Sequence, residues 1–179
     1  VSHVVLVQLS ILVVGFVQEF LKYAAVRYTV YNLPEFDERF DGILYGGAAG
    51  LGYATMLNIH YIVDNGGVNL AAGAVQVVVV ALAQASFGGI TGYFLGRAKF
   101  EEEPVWWLPA GLILSAALNG LLTVASGSLL RTGSALSSQT TNPWYGLVLA
   151  ALFAGGTLAV LVVLMRRANR LTLAGADVA

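Results

Sequence analysis

The 179-residue chain is 58% hydrophobic and only 11% charged, whereas soluble domains carry about 25% charged residues. Its formal net charge is −1, which leaves no basic surface for a nucleic acid. The lack of cysteine excludes a disulfide scaffold and thiolate metal ligands. This composition indicates a polytopic membrane protein. Because the sequence begins with Val1 and not with Met, we expect its natural N-terminus to lie further upstream.

Five apolar runs are long enough to cross a bilayer, since a spanning helix needs about 20 mostly apolar residues. We expect these helices at about 4–28, 42–63, 68–95, 105–125 and 144–165. A segment with three consecutive glutamates, 99–104, is expected in water, and a Ser/Thr/Gly-rich loop is expected at 126–143. The sequence thus predicts a single all-α domain, residues 1–170, built as a transmembrane bundle of about five helices. A short tail follows at 171–179.

Basic residues divide unevenly between the two sides of the membrane that five spanning helices would create. One side carries Arg131 alone, and the other carries seven: Arg27, Arg39, Arg97, Lys99, Arg166, Arg167 and Arg170. Because segments rich in Lys and Arg stay cytoplasmic, we expect a cytoplasmic C-terminus and an N-terminus on the opposite side. Aromatic side chains anchor at the membrane surface, and we expect this of four residues at helix ends: Trp106, Trp107, Trp144 and Tyr145.

Two rows of glycines repeat every four residues, so that each row lies on one helix face. The first row is Gly42, Gly46 and Gly50, and the second is Gly88, Gly92 and Gly96. Such rows let a second backbone approach closely, which is a common basis of helix association in membranes. We expect helix-packing faces here, with a ligand-binding groove as the alternative.

Polar residues within the expected spans are the candidates for function. Glu19 is the one acidic residue deep in a span, and an intramembrane carboxylate is a functional candidate because its burial is costly. Lys22 lies on the same helix face, so the alternative is an ion pair that only holds the first helix in register. His60 is expected to be a solvated anchor at the end of the second helix. Four amides need hydrogen-bond partners in lipid: Gln18, Asn58, Gln84 and Asn119.

The order of these residues resembles that of the PrsW-type intramembrane proteases. Residues 15–22 resemble the Glu-Glu-x-x-Lys segment of that family, and residues 51–59 resemble its Leu-Gly-Phe-Ala-x-x-Glu-Asn segment. Residues 35–46, 87–100 and 116–120 resemble further segments in the same order, so the resemblance covers about residues 11–125. It implies a helical membrane protease related to the CAAX prenyl proteases, in the bacterial cytoplasmic membrane. The presumed chemistry of that family activates water with membrane-embedded glutamates and histidines, with or without a metal ion.

The resemblance assigns five chemical positions, and four of them carry a different residue type here. The first glutamate falls on Gln18, the second is retained as Glu19, and the third falls on Leu57, beside the retained Asn58. The two histidines fall on Gln84 and Asn119. Amides neither titrate near neutral pH nor act as bases, and they are poorer metal ligands than imidazole or carboxylate. These six positions therefore read as a vestigial site.

Our leading hypothesis is a pseudoprotease, a PrsW-like membrane protein without protease chemistry that serves as an accessory or structural subunit of a larger membrane complex. Its expected partners are membrane lipids and other transmembrane proteins, and neither a metal nor another cofactor is expected. One alternative is an active intramembrane peptidase that uses Glu19, with His60 within hydrogen-bond reach. The other is a transporter or lipid-binding module in which the amides line a cavity.

Overall fold

Helices make up nearly all of the computed structural model, which describes residues 3–64, 72–136, 152, 155–156, 159–167 and 170. The main helices are α1 (His3–Thr29), α2 (Arg39–Asp64), α3 (Ala72–Phe100) and α4 (Trp107–Leu136). A shorter helix, α5, covers 159–167. No strand occurs in these described ranges, so the expected all-helical class is confirmed for them.

The observed helix bounds differ from the expected ones mainly in the second half of the chain. The loop expected from residue 126 is wrong at its start, because α4 continues to Leu136. Ser, Thr and Gly do not end this helix, since the preferences of single residues are weak and the surrounding fold overrides them. The helix α3 likewise continues five residues past its expected end, to Phe100. The first part of the helix expected at 144–165 lies largely outside the described residues.

One segment of the described helices has the length and composition of a membrane span. Val77–Phe100, with 24 residues, reaches a mean hydropathy of 1.6, and Trp107–Leu121 is a shorter apolar helix. An apolar helix of about 20 residues matches the thickness of the hydrocarbon core. The number of spanning helices, five, and the relation to the CAAX proteases stay predictions.

The antiparallel pair of α2 and α3 forms the closest helix contact. A Cβ on Gly46 would lie 2.9 Å from the Gly92 Cα and 3.0 Å from the Gly88 carbonyl carbon, which is closer than real Cβ atoms approach. Gly42 lies against Gly96, and Gly50 lies against the Gln84 backbone. The two glycine rows thus meet one another along this interface, where backbone packs directly on backbone.

The other helices pack around this pair. Gly15 of α1 faces the carbonyl of Ala116 in α4, 3.0 Å from where a Cβ would stand. At the end of α1, Val26 and Leu95 enclose the buried ring of Phe36, which folds the connecting segment 30–38 back onto the bundle. From α5, Leu161 contacts the core around Ile43. This arrangement brings the middle parts of α1, α3 and α4 together, and the candidate site lies there.

Candidate functional site

A buried cluster of polar side chains lies where α1, α3 and α4 meet. Its members, here called the polar cluster, are Gln18, Glu19 and Lys22 from α1, Gln84 from α3 and Asn119 from α4. Glu19 is 0% exposed and Lys22 is 3% exposed. Residues 18, 19 and 22 share a helix face because three or four positions make one turn. Four of the six sequence-predicted positions are therefore together in space.

Lys22 makes one hydrogen bond within α1 and one that connects α1 to α3. Its Nζ donates to Glu19 Oε1 at 2.5 Å and to Gln84 Oε1 at 2.7 Å. The ion pair is almost fully buried, with the two side chains 2% and 0% exposed. An ammonium group in apolar surroundings needs such acceptors, since burying an unpaired charge is very costly.

Asn119 connects α4 to the same carboxylate. Its Nδ2 donates to Glu19 Oε1 at 3.0 Å and to Gln18 Oε1 at 2.9 Å. The amide of Gln84 donates from Nε2 to Asn119 Oδ1 over a longer 3.5 Å. The second carboxylate oxygen, Glu19 Oε2, has no hydrogen-bond partner among the described residues.

The surroundings of the polar cluster include residues that sequence reasoning missed. Thr91 Oγ1 donates to Ser115 Oγ at 2.9 Å, and both are buried between α3 and α4. The rings of Tyr53 and Phe87 each lie 5.8 Å from Lys22 Nζ. A helical signal was present, because Ser115 precedes Asn119 by four residues, and Thr91 follows Gln84 by seven, so each pair shares a face.

Leu57 and Asn58 take no part in the hydrogen bonds of the polar cluster. Asn58 Nδ2 donates to the carbonyl oxygen of Val77 at 3.2 Å. Val77 precedes Gln84 by seven residues, which is about 10 Å along a helix. Leu57 is half-buried. Helix α2 therefore presents these two positions at a different level of the bundle.

His60 does not reach Glu19, so the pairing expected for a residual hydrolase is wrong. The His60 side chain is 75% exposed, and its Nε2 lies 3.3 Å from Asp64 Oδ2, one turn further along α2. Glu19 is enclosed by α1, α3 and α4. The physical reason is that His60 and Asp64 lie on one face of α2. That face points away from the packed interior.

A second polar network joins the end of α3 to the start of α2. Glu101 accepts hydrogen bonds from Arg39 Nε at 2.8 Å and from Arg97 Nη2 at 2.5 Å. In this segment, which is expected in water, the ion pairs with the arginines partly cover Glu101 and Glu103, whose side chains are 20% and 11% exposed. Burial by itself raises the pKa of Glu101, but the hydrogen bonds and charges of the two arginines outweigh it and lower the pKa overall.

Lys99 holds the segment between α1 and α2 in place. Its Nζ donates to the carbonyl oxygens of Tyr31 and Phe36, both at 2.6 Å. Of the aromatic residues expected at the membrane surface, Trp106 is 63% exposed, while Trp107 donates from its indole Nε1 to the Phe94 carbonyl at 3.2 Å. Their anchoring role stays a prediction, and Trp144 and Tyr145 lie outside the described residues.

Comparison with known proteins confirms the family resemblance. Residues 2–136 match the family model described as "PrsW family intramembrane metalloprotease". The chain belongs to the PrsW family. The family match and the apolar span of α3 together support a location in a membrane. No solved structure matches the chain.

The curated relatives are bacterial proteins named Protease PrsW. The one from Bacillus subtilis strain 168 is 35% identical over 113 residues, which cover 62% of this chain and 50% of that protein. The one from Halalkalibacterium halodurans is 39% identical over 108 residues, which cover 60% of this chain and 49% of that protein. The chain thus spans about half the length of the curated relatives it matches.

The family description implies a metal ion, and the polar cluster does not fit one. It offers a single carboxylate, Glu19, whose Oε1 is already bonded to Lys22 and Asn119. Its other oxygen donors are amides, whereas catalytic zinc is held by three side chains drawn from histidine, cysteine and carboxylates. Within the described residues, no group of three or more such side chains could hold a metal. No catalytic step through a metal follows from this arrangement.

Proposed function

We propose that this chain is a PrsW-family membrane protein without peptidase chemistry, which acts through helix–helix contacts as an accessory subunit of a larger membrane complex. The observation that carries the proposal is the burial and hydrogen bonding of Glu19. This carboxylate is 0% exposed and is held by Lys22 and Asn119. In this reading, the polar cluster joins three helices and has no part in catalysis.

Peptide hydrolysis needs a base that takes a proton from water and a group that stabilises the oxyanion or protonates the leaving amine. Glu19 alone has the chemistry of a base, because Gln18, Gln84 and Asn119 are amides that do not titrate. A single carboxylate lacks the second titrating group that divides the acid and base roles. Lys22, the other charged member, is committed to Glu19 and Gln84.

Contact with membrane partners is supported by the outer faces of the helices. Large apolar side chains are strongly exposed on α2 and α4, among them Met56 at 67%, Val63 at 71% and Leu121 at 65%. Exposed apolar surface of this kind suits lipid tails and neighbouring transmembrane helices. We propose lipids and other transmembrane proteins as its partners, with the C-terminus cytoplasmic as the basic residues predict.

A cleavage assay tests the loss of peptidase chemistry. The chain and its Glu19→Gln variant are reconstituted in liposomes with a fluorogenic transmembrane peptide, and Protease PrsW of Bacillus subtilis serves as the reference. We expect equal background rates for the two forms, because Glu19 takes no part in catalysis. Cleavage by the wild-type chain that Glu19→Gln abolishes would overturn the proposal.

Co-purification tests the accessory role. The tagged chain is extracted from its native membrane with a mild detergent, and bound proteins are identified by mass spectrometry. We expect a transmembrane protein in a fixed ratio to the chain. Recovery of the chain with lipid alone would contradict the accessory role and leave the cleavage result unaffected.

The second candidate function is an active peptidase that uses Glu19. It is favoured by Glu19 Oε2, which has no hydrogen-bond partner among the described residues and so is able to bind a water. The same cleavage assay decides between the two candidates. The transporter alternative, in which the amides line a cavity, has less support. The amides of Gln84 and Asn119 form hydrogen bonds with other members of the polar cluster.

A further inference from the structure

We propose that the polar cluster excludes divalent metal ions, because its side chains besides Glu19 and Lys22 are amides and Lys22 neutralises its one carboxylate. This goes beyond the proposed function, since a chain without peptidase activity could still hold a metal ion for structural reasons. The family is described as metalloproteases. Since Lys22 also stands in the segment that resembles the family, the difference from that description lies in the amides of Gln18, Gln84 and Asn119.

The first argument is the charge of the polar cluster. Glu19 carries its only formal negative charge, and Lys22 carries an equal positive charge 2.5 Å from the carboxylate. The two charges cancel, so no net negative charge is left to attract a dication. Repulsion between a dication and the ammonium group would be strong, because both charged side chains are almost fully buried and screening is weak there.

The second argument is the occupation of the oxygen donors. Gln84 Oε1 accepts from Lys22, and Glu19 Oε1 accepts from both Lys22 and Asn119. The remaining amide oxygens, those of Gln18 and Asn119, accept hydrogen bonds from Asn119 and Gln84, respectively. Of the described carboxylate and amide oxygens of the polar cluster, this leaves Glu19 Oε2 without a hydrogen-bond partner, and one oxygen is far from the three or four protein ligands of a zinc site.

The third argument is the position of Lys22 between two helices. Its Nζ bridges a carboxylate of α1 and an amide oxygen of α3, which is the kind of contact that a bridging metal ion makes between elements. A metal would have to displace the ammonium group from both acceptors and leave it buried without a partner. The ammonium group of Lys22 therefore joins the two helices in the way that a bound metal ion would.

Zinc content tests the inference directly. The full chain and its Glu19→Gln variant are purified in detergent, treated with a chelator, incubated with Zn²⁺ and desalted. Bound zinc per chain is then measured by inductively coupled plasma mass spectrometry. We expect the same trace content in both forms and no shift of the thermal unfolding midpoint on adding Zn²⁺, since a ligand that binds only the folded state would raise it. One zinc per chain, lost in Glu19→Gln, would overturn the inference.

A gain-of-binding variant provides the matched control. The changes Gln18→Glu, Gln84→His and Asn119→His supply a second carboxylate and two imidazoles at the clustered positions, and they remove one acceptor of Lys22. We expect this variant to retain about one zinc per chain. If it keeps its helical content by circular dichroism and still retains no more zinc than wild type, then the amides are not what excludes the metal, and the inference fails.

The two proposals fail separately. Zinc bound stoichiometrically by a chain that cleaves no peptide would overturn this inference and leave the proposed function intact. Glu19-dependent cleavage by a chain free of zinc would overturn the proposed function and leave the inference intact.

Discussion

Replacing Lys22 with methionine tests the energetic importance of the buried ion pair. Lys22→Met keeps an unbranched apolar stem of similar length and removes the ammonium group. It leaves Glu19 buried at 0% exposure without its counter-charge and leaves Gln84 Oε1 without its donor. Removing one partner of a buried ion pair typically costs about 3–5 kcal/mol. We therefore expect the free energy of unfolding to fall by about 3–5 kcal/mol, a large part of the about 5–15 kcal/mol of an ordinary domain.

The assay is reversible unfolding in mixed detergent micelles with increasing SDS, followed by far-ultraviolet circular dichroism. The matched control is the double variant Glu19→Gln/Lys22→Met, in which no charge remains in the polar cluster. We expect the double variant to be more stable than Lys22→Met alone, because the uncompensated carboxylate is gone. Hydrogen bonds alone between membrane helices average only about 0.6 kcal/mol, so a loss below about 1 kcal/mol in Lys22→Met would refute a buried charge pair.

Two further predictions concern the helix interface and the second polar network. Gly46→Ala should destabilise the fold by about 1–3 kcal/mol through overpacking against Gly88, whereas Gly52→Ala, with open space around its Cβ position, should be neutral or slightly stabilising. The same SDS titration measures both, and equal losses would contradict the close contact. Hydrogen bonds from Arg97 help lower the pKa of Glu101. Glu101 should therefore stabilise the fold at pH values above the ordinary glutamate pKa of about 4.3. This stabilisation should be lost as the pH falls through the lowered pKa of Glu101. Glu101→Gln should abolish this loss of stability at low pH. If the stability of the variant depends on pH in the same way as that of the wild type, the network is contradicted.

The helical class and the candidate residues could be read from the sequence because they depend on local properties. Runs of about 20 apolar residues predict helices that suit a membrane, and the spacing of Gly42, Gly46 and Gly50 predicts one packed face. The same is true of the polar candidates, since Glu19 and Gln84 stand out against apolar neighbours. The resemblance to the PrsW family is confirmed by the family match over residues 2–136.

Helix ends were less predictable. The expected loop from residue 126 relied on the usual preference of Ser, Thr and Gly for turns, yet α4 continues to Leu136. Such preferences of single residues are weak, and the surrounding fold overrides them here.

The polar residues and the helices that carry them can be identified from the sequence. Which of these residues meet depends on how the helices pack, since Glu19 is bonded to Lys22 one turn away and to Asn119, 100 positions further along the chain. The rotation of each helix and its level in the bundle depend on packing. Packing places Asn58 against Val77 and leaves the side chain of His60 exposed. The physical reason is that periodicity defines the face of one helix, whereas the partner of that face depends on how close the backbones of all the helices can come.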